Sequence, residues 1–459
     1  MTSCAHKPAA IAALPSKVRT PSAAPISPLE NILLFSDIHL DPFYDPKLVP
    51  ELIEKPISQW PEIFASSESK KISGMKEDTN YWLFVSALEQ AKKQVADPAL
   101  IIIPGDFFRH GFPKKFAEYY ADATSRKAAQ AAFMEKMIKF IAKSFHDAFP
   151  GAQIVPSLGN NDAACGNYEI HPKDPFLKSF AEAWAEYARD PELAKQISDN
   201  GHYSVLFKKN LGLRLIVSND VYLSNAYKLG CGFKSEDPSS IDMGWLSRRL
   251  AEAREKKEKV WLIEHIPTGV DVSTGLKDNK NFCKGDHVLP FMKEDISPEY
   301  VELLNQYSDV IALNIAGHTH WNEFRMSGPN VATVVVPSLT MNHLNYPAFE
   351  VFALDREKLV VKDLTVWFLH LGLFAPEWQK EYDFSKAYGK SEVSRDTIKS
   401  LISSLKSNTK LQEDFARRMT SQSPIGLFVA GNWPAYQCGI TTTNVVEFEK
   451  CFCTEPVGQ

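Results

Sequence analysis

Residues 32–39 read Ile-Leu-Leu-Phe-Ser-Asp-Ile-His, so a short apolar run ends directly in an Asp-x-His motif. An apolar run of this length is typical of a strand that is buried on both faces of a sheet. In open α/β sheets, ligands bind beyond the carboxyl ends of the strands. The stretch therefore predicts a buried strand that delivers two polar side chains, Asp37 and His39, to a candidate site.

Four later apolar runs end in polar residues of the same kinds. These ends read Gly105-Asp106, Gly159-Asn160-Asn161-Asp162, Glu264-His265 and Gly317-His318-Thr319-His320. Carboxylate, imidazole and amide oxygen ligands suit divalent ions such as zinc, manganese or iron. Residues two apart on an extended chain point the same way, so each Asp-x-His or His-x-His pair can serve one site. Five such strand ends together indicate a metal site.

The order of apolar runs predicts an α/β protein. Strands are predicted at 32–35, 100–103, 153–155, 213–217, 260–263, 310–315 and 331–336. Between them, helices are predicted at 82–96, 116–149, 176–187 and 245–257, the second of these stretches holding one or two helices. Strands that alternate with helices are typical of an α/β architecture.

The chain divides into three predicted parts. Residues 1–30 precede the first apolar run and are rich in Pro, Ala and Ser, which suits a flexible N-terminal linker or tether. Residues 31–374 hold the strand and helix pattern, which a strand within 359–370 extends. Residues 375–459 are predicted to form a helical C-terminal subdomain, with helices at 377–388, 394–404 and 411–419.

The charge pattern argues against a nucleic-acid polymer as partner, and the hydropathy pattern argues against a membrane-spanning helix. The net charge is −5, and the basic cluster around Arg254 and Lys256 is interleaved with glutamates. This pattern is typical of a solvated helix face, whereas a nucleic-acid polymer would need a positive stripe. We find no apolar run near the ~18 residues that would cross a bilayer.

The cysteines are informative about the subcellular location of the protein. Met-Thr-Ser-Cys at positions 1–4 resembles the end of a bacterial lipoprotein signal, which would make Cys4 a lipidated membrane tether. The alternative is a disordered N-terminus with an incidental cysteine. The other six cysteines are enough for three disulfide bridges in an oxidising compartment. We therefore expect an extracytoplasmic protein that is periplasmic, secreted or lipid-anchored, although reduced, buried cysteines in the cytoplasm stay an alternative.

The ordered motifs resemble the signature of calcineurin-like metallophosphoesterases. Within that superfamily the chain is most similar to the acid sphingomyelinase-like phosphodiesterases over roughly residues 31–390. The segments that carry the narrower resemblance are 37–41, 105–110, 265–269, 307–320, 337–340 and Trp378-Gln379-Lys380-Glu381-Tyr382. The resemblance implies a four-layer sandwich in which two mixed β-sheets are flanked by helices, with 31–374 as the catalytic domain.

The resemblance also implies a ligand set for two divalent metal ions, with zinc as the first choice and manganese or iron as alternatives. One ion would be held by Asp37, His39, Asp106 and His320. The other would be held by Asp106, Asn160, His265 and His318, so that Asp106 bridges the two. A hydroxide activated by the two metals would attack phosphorus, without a covalent enzyme intermediate.

Position 161 departs from the family pattern. The family has His after the metal-binding Asn, where it stabilises or protonates the leaving group, and this chain has Asn161. An amide can donate a hydrogen bond but cannot transfer a proton at a useful pKa. His110 matches a second family histidine near the leaving group, so we expect it to carry the acid role alone. Asn342 and His343, beyond the strand end at 337–340, are candidate substrate contacts.

Two classes of function follow. The first is a metal-dependent hydrolase of a small phosphate ester, a phosphodiesterase or phosphomonoesterase acting on nucleotide, soluble or lipid-derived esters. The short stretch before the first strand leaves no room for a saposin-like module, which weakens the case for lipid substrates. The alternative is a binding or scaffold protein whose site is degraded at Asn161. We expect a monomer with a small-molecule substrate and no nucleic-acid polymer as partner.

Overall fold

A computed structural model describes residues 29–190, 192–207, 212–230, 232–234, 236–278, 283, 288–372 and 375–453. The predicted tether and Cys4 lie outside these residues, except that Leu29 and Glu30, assigned to the linker from sequence, begin the first strand. The strands of this part of the chain are β1 (Leu29–Leu34), β2 (Leu100–Ile103), β3 (Gln153–Pro156), β4 (Tyr203–Phe207), β5 (Leu213–Val217), β6 (Lys259–Ile263), β7 (Ile311–Ala316), β8 (Glu323–Met326), β9 (Ala332–Val335), β10 (Ala348–Asp355), β11 (Val360–Leu371) and β12 (Pro376–Asp383).

These strands form two mixed sheets. The first has the order β12-β11-β10-β1-β2-β3, and the second has the order β4-β5-β6-β7-β9-β8. In the first sheet β1 pairs parallel with β2 and antiparallel with β10. In the second sheet β6 pairs parallel with β7, so that the carboxyl ends of both strands lie at one edge.

Helices lie between and after the strands. Those of the described residues are α1 (Val49–Glu54), α2 (Trp60–Ala65), α3 (Tyr81–Gln94), α4 (Phe112–Phe116), α5 (Arg126–Ala148), α6 (Pro175–Trp184), α7 (Leu193–Asn200), α8 (Ser239–Glu255), α9 (Val272–Asp278), α10 (Ile296–Gln306), α11 (Phe384–Tyr388), α12 (Arg395–Ser404), α13 (Thr409–Met419), α14 (Gly426–Gly431), α15 (Trp433–Thr441) and α16 (Val445–Phe448). Short 3₁₀ helices span Ile57–Gln59 and Asp220–Leu223, and a π-helical turn spans Glu449–Cys453.

The two sheets face each other and are covered on their outer sides by helices. Trp261 of β6 contacts Phe352 of β10 across the interface, with ring centroids 6.0 Å apart. On the outer side of the first sheet, Phe145 of α5 packs against Phe35, which follows β1. A second apolar cluster joins Leu246 of α8 and Leu304 of α10 to strands β5 and β6. The predicted four-layer α/β sandwich is confirmed.

The helix predicted at 377–388 is wrong over most of its length. Pro376–Asp383 forms β12, an edge strand antiparallel to β11, and only Phe384–Tyr388 is helical. Glu377 and Lys380 are exposed at the edge of the sheet, where charges are compatible with a strand, whereas Glu381 and Asp383 are half-buried. Trp378 packs on Phe349. The first sheet therefore extends past residue 375, while the division of the chain into domains stays a prediction.

Candidate metal centre

Both sheets deliver polar side chains to the same place. Asp37 and His39 follow β1, Asp106 follows β2, and Asn160 follows β3 in the first sheet. His265 follows β6, and His318 and His320 follow β7 in the second sheet. Within each sheet these are the carboxyl ends of parallel strands, which is where open α/β sheets place their ligands.

One group of side chains gathers around Asp37. His39 Nε2 lies 3.3 Å from Asp106 Oδ2 and 3.8 Å from Asp37 Oδ1. His320 Nε2 lies 3.4 Å from the same Asp37 oxygen. Four potential ligand atoms of the predicted first set therefore lie within a few ångströms of one another.

A second group gathers around the Asn160 side-chain oxygen. Asn160 Oδ1 lies 2.9 Å from His265 Nε2 and 2.9 Å from His318 Nδ1. His265 Nε2 lies 3.5 Å from Asp106 Oδ2, the same oxygen that faces His39. The structure thus brings all seven predicted ligands together, and a single Asp106 oxygen stands between the two groups.

The donor set fits divalent cations. His39 Nε2 is buried and has no hydrogen-bond partner within the described part of the chain. A buried ring nitrogen without a partner is costly unless a ligand or an ion satisfies it. His39 Nδ1 lies 2.8 Å from the Phe108 carbonyl and His265 Nδ1 lies 2.6 Å from the Pro104 carbonyl, which leaves each Nε2 to face the centre.

The backbone is bent sharply at the candidate ligands. Positive φ angles of 47°, 44°, 59°, 70° and 67° occur at Asp37, His39, Asp106, His318 and His320. Such angles are uncommon for residues other than glycine. Neighbouring glycines allow the close approach: a Cβ on Gly159 would lie 2.2 Å from Asp106 Oδ1, and one on Gly317 would lie 2.2 Å from Ser36 Oγ.

Two buried aspartates hold the turns that carry the ligands. Asp162 accepts hydrogen bonds from the backbone N–H groups of Asp106 at 2.8 Å, Phe107 at 2.8 Å and Gly159 at 2.7 Å. Asp220 accepts hydrogen bonds from the N–H groups of His265 at 3.0 Å and Ile266 at 2.5 Å. Each carboxylate therefore fixes the backbone beside a candidate ligand instead of facing the centre itself.

The buried carboxylates of this centre favour positive charge on two of the candidate ligands. Burial lowers the pKa of His39 and His265, but Asp106 and Asp37 together with further nearby carboxylates outweigh this and raise the two pKa values to about 9 and about 10. Burial and the charge of His265 lower the pKa of His318 to about 4. Two imidazoles therefore hold protons beside the carboxylates, and a cation bound here would take the place of those protons.

His110 is not one of the seven predicted ligands, but ligand atoms of His39, His110 and His320 all lie within 4.8 Å of one another. Its ring stacks on His39 with centroids 4.0 Å apart, and its Nδ1 lies 2.7 Å from Asp78 Oδ1. Asn342 Nδ2 lies 3.0 Å from the same His110 nitrogen, and the His343 ring stacks on His320 at 4.0 Å. All three predicted neighbours of the metal ligands therefore lie at the centre.

Asn161 points at the shared carboxylate. Its side-chain Nδ2 donates a hydrogen bond to Asp106 Oδ2 at 2.8 Å, and its backbone N–H donates to Asp106 Oδ1 at 2.7 Å. The amide thus orients the oxygen that stands between the two groups of ligands.

Sequence reasoning missed two side chains that shape this centre. Asp78, which holds His110, stands 32 residues before it and belongs to no local motif. Tyr168, whose hydroxyl lies 3.4 Å from His318 Nε2, also belongs to no sequence motif. Their roles depend on contacts across the fold, so a motif search in one sequence gives no signal for them. Asp162 stands in the motif that follows the third strand, but its hydrogen bonds to the backbone of Asp106 and Phe107 likewise depend on the fold.

Comparisons with known proteins agree with this geometry. A family model described as calcineurin-like phosphoesterase matches residues 30–322. Acid sphingomyelinase-like phosphodiesterase 3b of Homo sapiens is 24% identical over 403 residues, which cover 80% of this chain and 78% of that protein. Sphingomyelin phosphodiesterase 2 of Caenorhabditis elegans is 26% identical over 74% of this chain, and the match spans 53% of that protein.

The chain is also similar to a second kind of phosphodiesterase and to a solved phosphatase structure. The cyclic GMP-AMP phosphodiesterase of Rattus norvegicus is 22% identical over 81% of this chain and 79% of that protein. A solved dimetal phosphatase from Danio rerio is 12% identical and covers 77% of this chain and 100% of that chain, with a TM-score of 0.40. Since the family model spans well over half of the sequence, the chain belongs to the calcineurin-like phosphoesterase family and is a hydrolase of phosphoester bonds.

Proposed function

We propose that the chain is a two-metal phosphodiesterase. Asp37, His39, Asp106 and His320 hold one divalent cation, and Asp106, Asn160, His265 and His318 hold the other. The observation that carries the proposal is the position of Asp106 Oδ2, which lies 3.3 Å from His39 Nε2 and 3.5 Å from His265 Nε2. A carboxylate oxygen that faces both groups of ligands suits a role shared between the two cations.

The family implies divalent metal ions, and the ligand types narrow the choice. Imidazoles, two carboxylates and one amide oxygen suit zinc, with manganese or iron as alternatives. When bound, a pair of such ions stabilises charge on the phosphoryl group and lowers the pKa of coordinated water. The chain itself supplies the fixed geometry, since backbone turns and buried carboxylates orient each ligand.

His110 supplies the leaving group with a proton. Its Nδ1 is engaged by Asp78 Oδ1 at 2.7 Å, so Nε2 is the nitrogen that can donate. The imidazole side chain is 31% exposed and lines the cavity over the centre, so a substrate can reach it. Asn161, which takes the place of a family histidine, contributes by holding Asp106 and donates no proton.

The substrate proposed is a phosphodiester with a compact headgroup. Relatives are named as phosphodiesterases of sphingomyelin and of cyclic GMP-AMP, which supports a diester over a monoester. We also propose an extracytoplasmic location, because Cys283 is bridged to Cys453 and Cys438 to Cys451, and such bridges persist in oxidising compartments. No helix in the described part of the chain is long and apolar enough to cross a membrane.

One experiment tests the proposed function directly. Hydrolysis of bis(p-nitrophenyl) phosphate and of p-nitrophenyl phosphate is compared before and after chelation, with zinc, manganese or iron added back. We expect diester turnover to need metal and to exceed monoester turnover. Full activity of protein freed of metal would rule out the proposal. A protein that binds two metals and hydrolyses neither ester would instead favour the binding or scaffold alternative.

A further inference from the structure

A cavity of about 210 Å³ leads from the candidate metal centre towards the C-terminal helices. His110 and His343 line the part beside His39 and His320, where both rings are stacked. Asp271, Ser273 and Tyr436 line another part, and the charge of Asp271 acts on both His318 and Tyr436. The cavity thus runs from the proposed proton donor past the metal ligands to a separate polar wall.

Asp271 presents a carboxylate to this cavity. Its Oδ1 accepts a hydrogen bond from the Thr274 N–H at 2.9 Å, which fixes the orientation of the side chain. Across the described residues, no lysine, arginine or histidine lies within ion-pair distance of it. A half-buried carboxylate with a free oxygen is a strong acceptor for a charged or neutral donor of a ligand.

Two hydroxyls of the same wall also lack well-aligned partners. Tyr436 is only 3% exposed and its hydroxyl lies beside that of Ser273, yet neither hydroxyl forms a well-aligned hydrogen bond within the ranges described. Leaving a buried hydroxyl unpaired costs free energy, which a bound ligand group can offset. The three oxygens therefore form a polar surface that is incomplete without a ligand.

The wall behind these groups is firmly held. Arg325 is paired with Glu323, and its guanidinium donates to the carbonyls of Thr268 and Gly439, each at 3.3 Å. Its positive charge is thereby compensated within the wall. The disulfide between Cys438 and Cys451 anchors α15, which carries Tyr436. A surface fixed in this way loses little conformational freedom when a ligand binds.

We propose that Asp271, Ser273 and Tyr436 form a subsite for the substituent that stays on phosphorus when the leaving group departs. The subsite recognises hydrogen-bond donors of that substituent, either an ammonium group or hydroxyl groups. This inference rests on the proposed function, because His110 assigns the leaving group to the other part of the cavity. The cavity is smaller than the ~300–1,000 Å³ of sites for drug-sized ligands, so the substituent is compact.

The test uses four esters that share the p-nitrophenyl leaving group. The retained substituents are ethanolamine (an ammonium with donors), choline (the same charge without donors), thymidine (one free hydroxyl and one imide N–H, without charge) and a second p-nitrophenyl group (neither charge nor donors). Kinetics are measured for the metal-loaded wild type, Asp271→Asn and Tyr436→Phe. Asp309→Asn, which changes an exposed carboxylate that pairs with Arg254, serves as the control.

We expect Asp271→Asn to lower kcat/KM at least about tenfold for the ethanolamine ester, mainly through KM, because a hydrogen bond between charged groups is lost. Tyr436→Phe should lower kcat/KM by a smaller factor for the thymidine and ethanolamine esters. Turnover of bis(p-nitrophenyl) phosphate should change less than about twofold in either variant. Equal losses on all four esters, or no loss on any, would overturn the subsite. If Asp271→Asn lowered kcat/KM equally for the choline and ethanolamine esters, the subsite would recognise the positive charge and not the hydrogen-bond donors.

A binding measurement separates this inference from the proposed function. Isothermal titration of the metal-loaded protein with phosphoethanolamine and with phosphocholine needs no turnover. Wild type should bind phosphoethanolamine more tightly, and Asp271→Asn should remove the difference. Failure of every ester to react would contradict the proposed function, whereas equal binding of both ligands by wild type would contradict the subsite alone.

Discussion

Asp37, His39, Asp106, His318 and His320 hold φ angles between 44° and 70°. Each such residue costs of order 1–3 kcal/mol and persists only where its surroundings enforce it. Here the Asp37 N–H donates to the Gly105 carbonyl at 3.1 Å, and the His39 N–H donates to the Asp106 carbonyl at 3.0 Å. Adjacent strand ends thus hold each other's candidate ligands in position.

The role of His110 can be tested by its dependence on the leaving group. His110→Ala should lower kcat about a hundredfold for a diester with a poor alcohol leaving group, because protonation of that group is then lost. The loss should be much smaller for p-nitrophenyl esters, whose leaving group departs without a proton. Steady-state kinetics with both kinds of ester measure the difference.

The control for this experiment is His146→Ala. His146 lies on α5 and stacks on Tyr187, away from the candidate ligands. The variant His146→Ala should leave kcat unchanged for esters with good and with poor leaving groups. Equal losses on good and poor leaving groups in His110→Ala would exclude proton donation and indicate a role in binding or in packing against His39.

At the scale of single elements, the 3₁₀ helix Asp220–Leu223 supports the strand end after β6. Asp220 is fully buried and accepts from the backbone of His265 and Ile266. In Asp220→Asn the side-chain NH₂ would face one of these N–H groups. We expect one of two zinc ions to bind about 10–100-fold more weakly, as is typical when a group that orients a ligand is changed. Calorimetric titration of metal-free protein with zinc resolves the two events.

Asp363→Asn is the matched control for this change. Asp363 of β11 also accepts from a backbone N–H, that of Ser385 at 2.9 Å, but it lies outside the candidate centre. Both zinc ions should bind to this variant as they bind to wild type. Equal weakening of both ions in Asp220→Asn would contradict a role confined to His265.

Strand β10 carries a buried acid whose protonation can be measured through stability. Burial raises the pKa of Glu350 well above its usual range, and Asn322, two residues after His320, donates to it. The native state keeps a proton that the unfolded chain loses above pH ~4.3. The free energy of unfolding should therefore fall as pH rises above that value, by at most about 1.4 kcal/mol per pH unit from this group.

Glu350→Gln tests this dependence. The amide keeps the volume and the acceptor but cannot titrate, so the contribution of this residue to the pH slope should vanish. Urea denaturation of both proteins between about pH 5 and about pH 7 gives the difference in slope. Identical slopes would mean that Glu350 has the same protonation in the folded and unfolded states.

The elements differ in how far sequence could predict them. Apolar runs such as Leu100–Ile103 marked the strands buried on both faces and located the candidate ligands at their ends. The sequence does not predict β10, because Glu350 interrupts its apolar pattern. In the fold this carboxyl is buried, its pKa is raised by burial, and it accepts a hydrogen bond from Asn322. β12 was read as a helix because an edge strand tolerates charges that a central strand would not. Contacts such as Asp78 with His110 depend on tertiary structure and leave no local pattern.

At the scale of the whole molecule, two disulfides tie the C-terminal segment to itself and to the chain before β7. Cys438 and Cys451 lie 13 residues apart, and Cys283 and Cys453 lie 170 apart. Replacing Cys438 and Cys451 by serine should lower the free energy of unfolding by about 3 kcal/mol through loss of the loop constraint. Denaturation under non-reducing conditions measures this, with wild type in reductant as the comparison. An unchanged midpoint would mean that packing alone holds α15.

The strand order has a consequence for how the enzyme matures. β1 is paired on one side with β10, which the ribosome delivers some three hundred residues later, and the His318 N–H donates to Asp37 across 281 positions. Neither of the two groups of candidate ligands is complete in a nascent chain that ends before these residues. Binding of both cations would therefore have to wait until the chain has been made past β10.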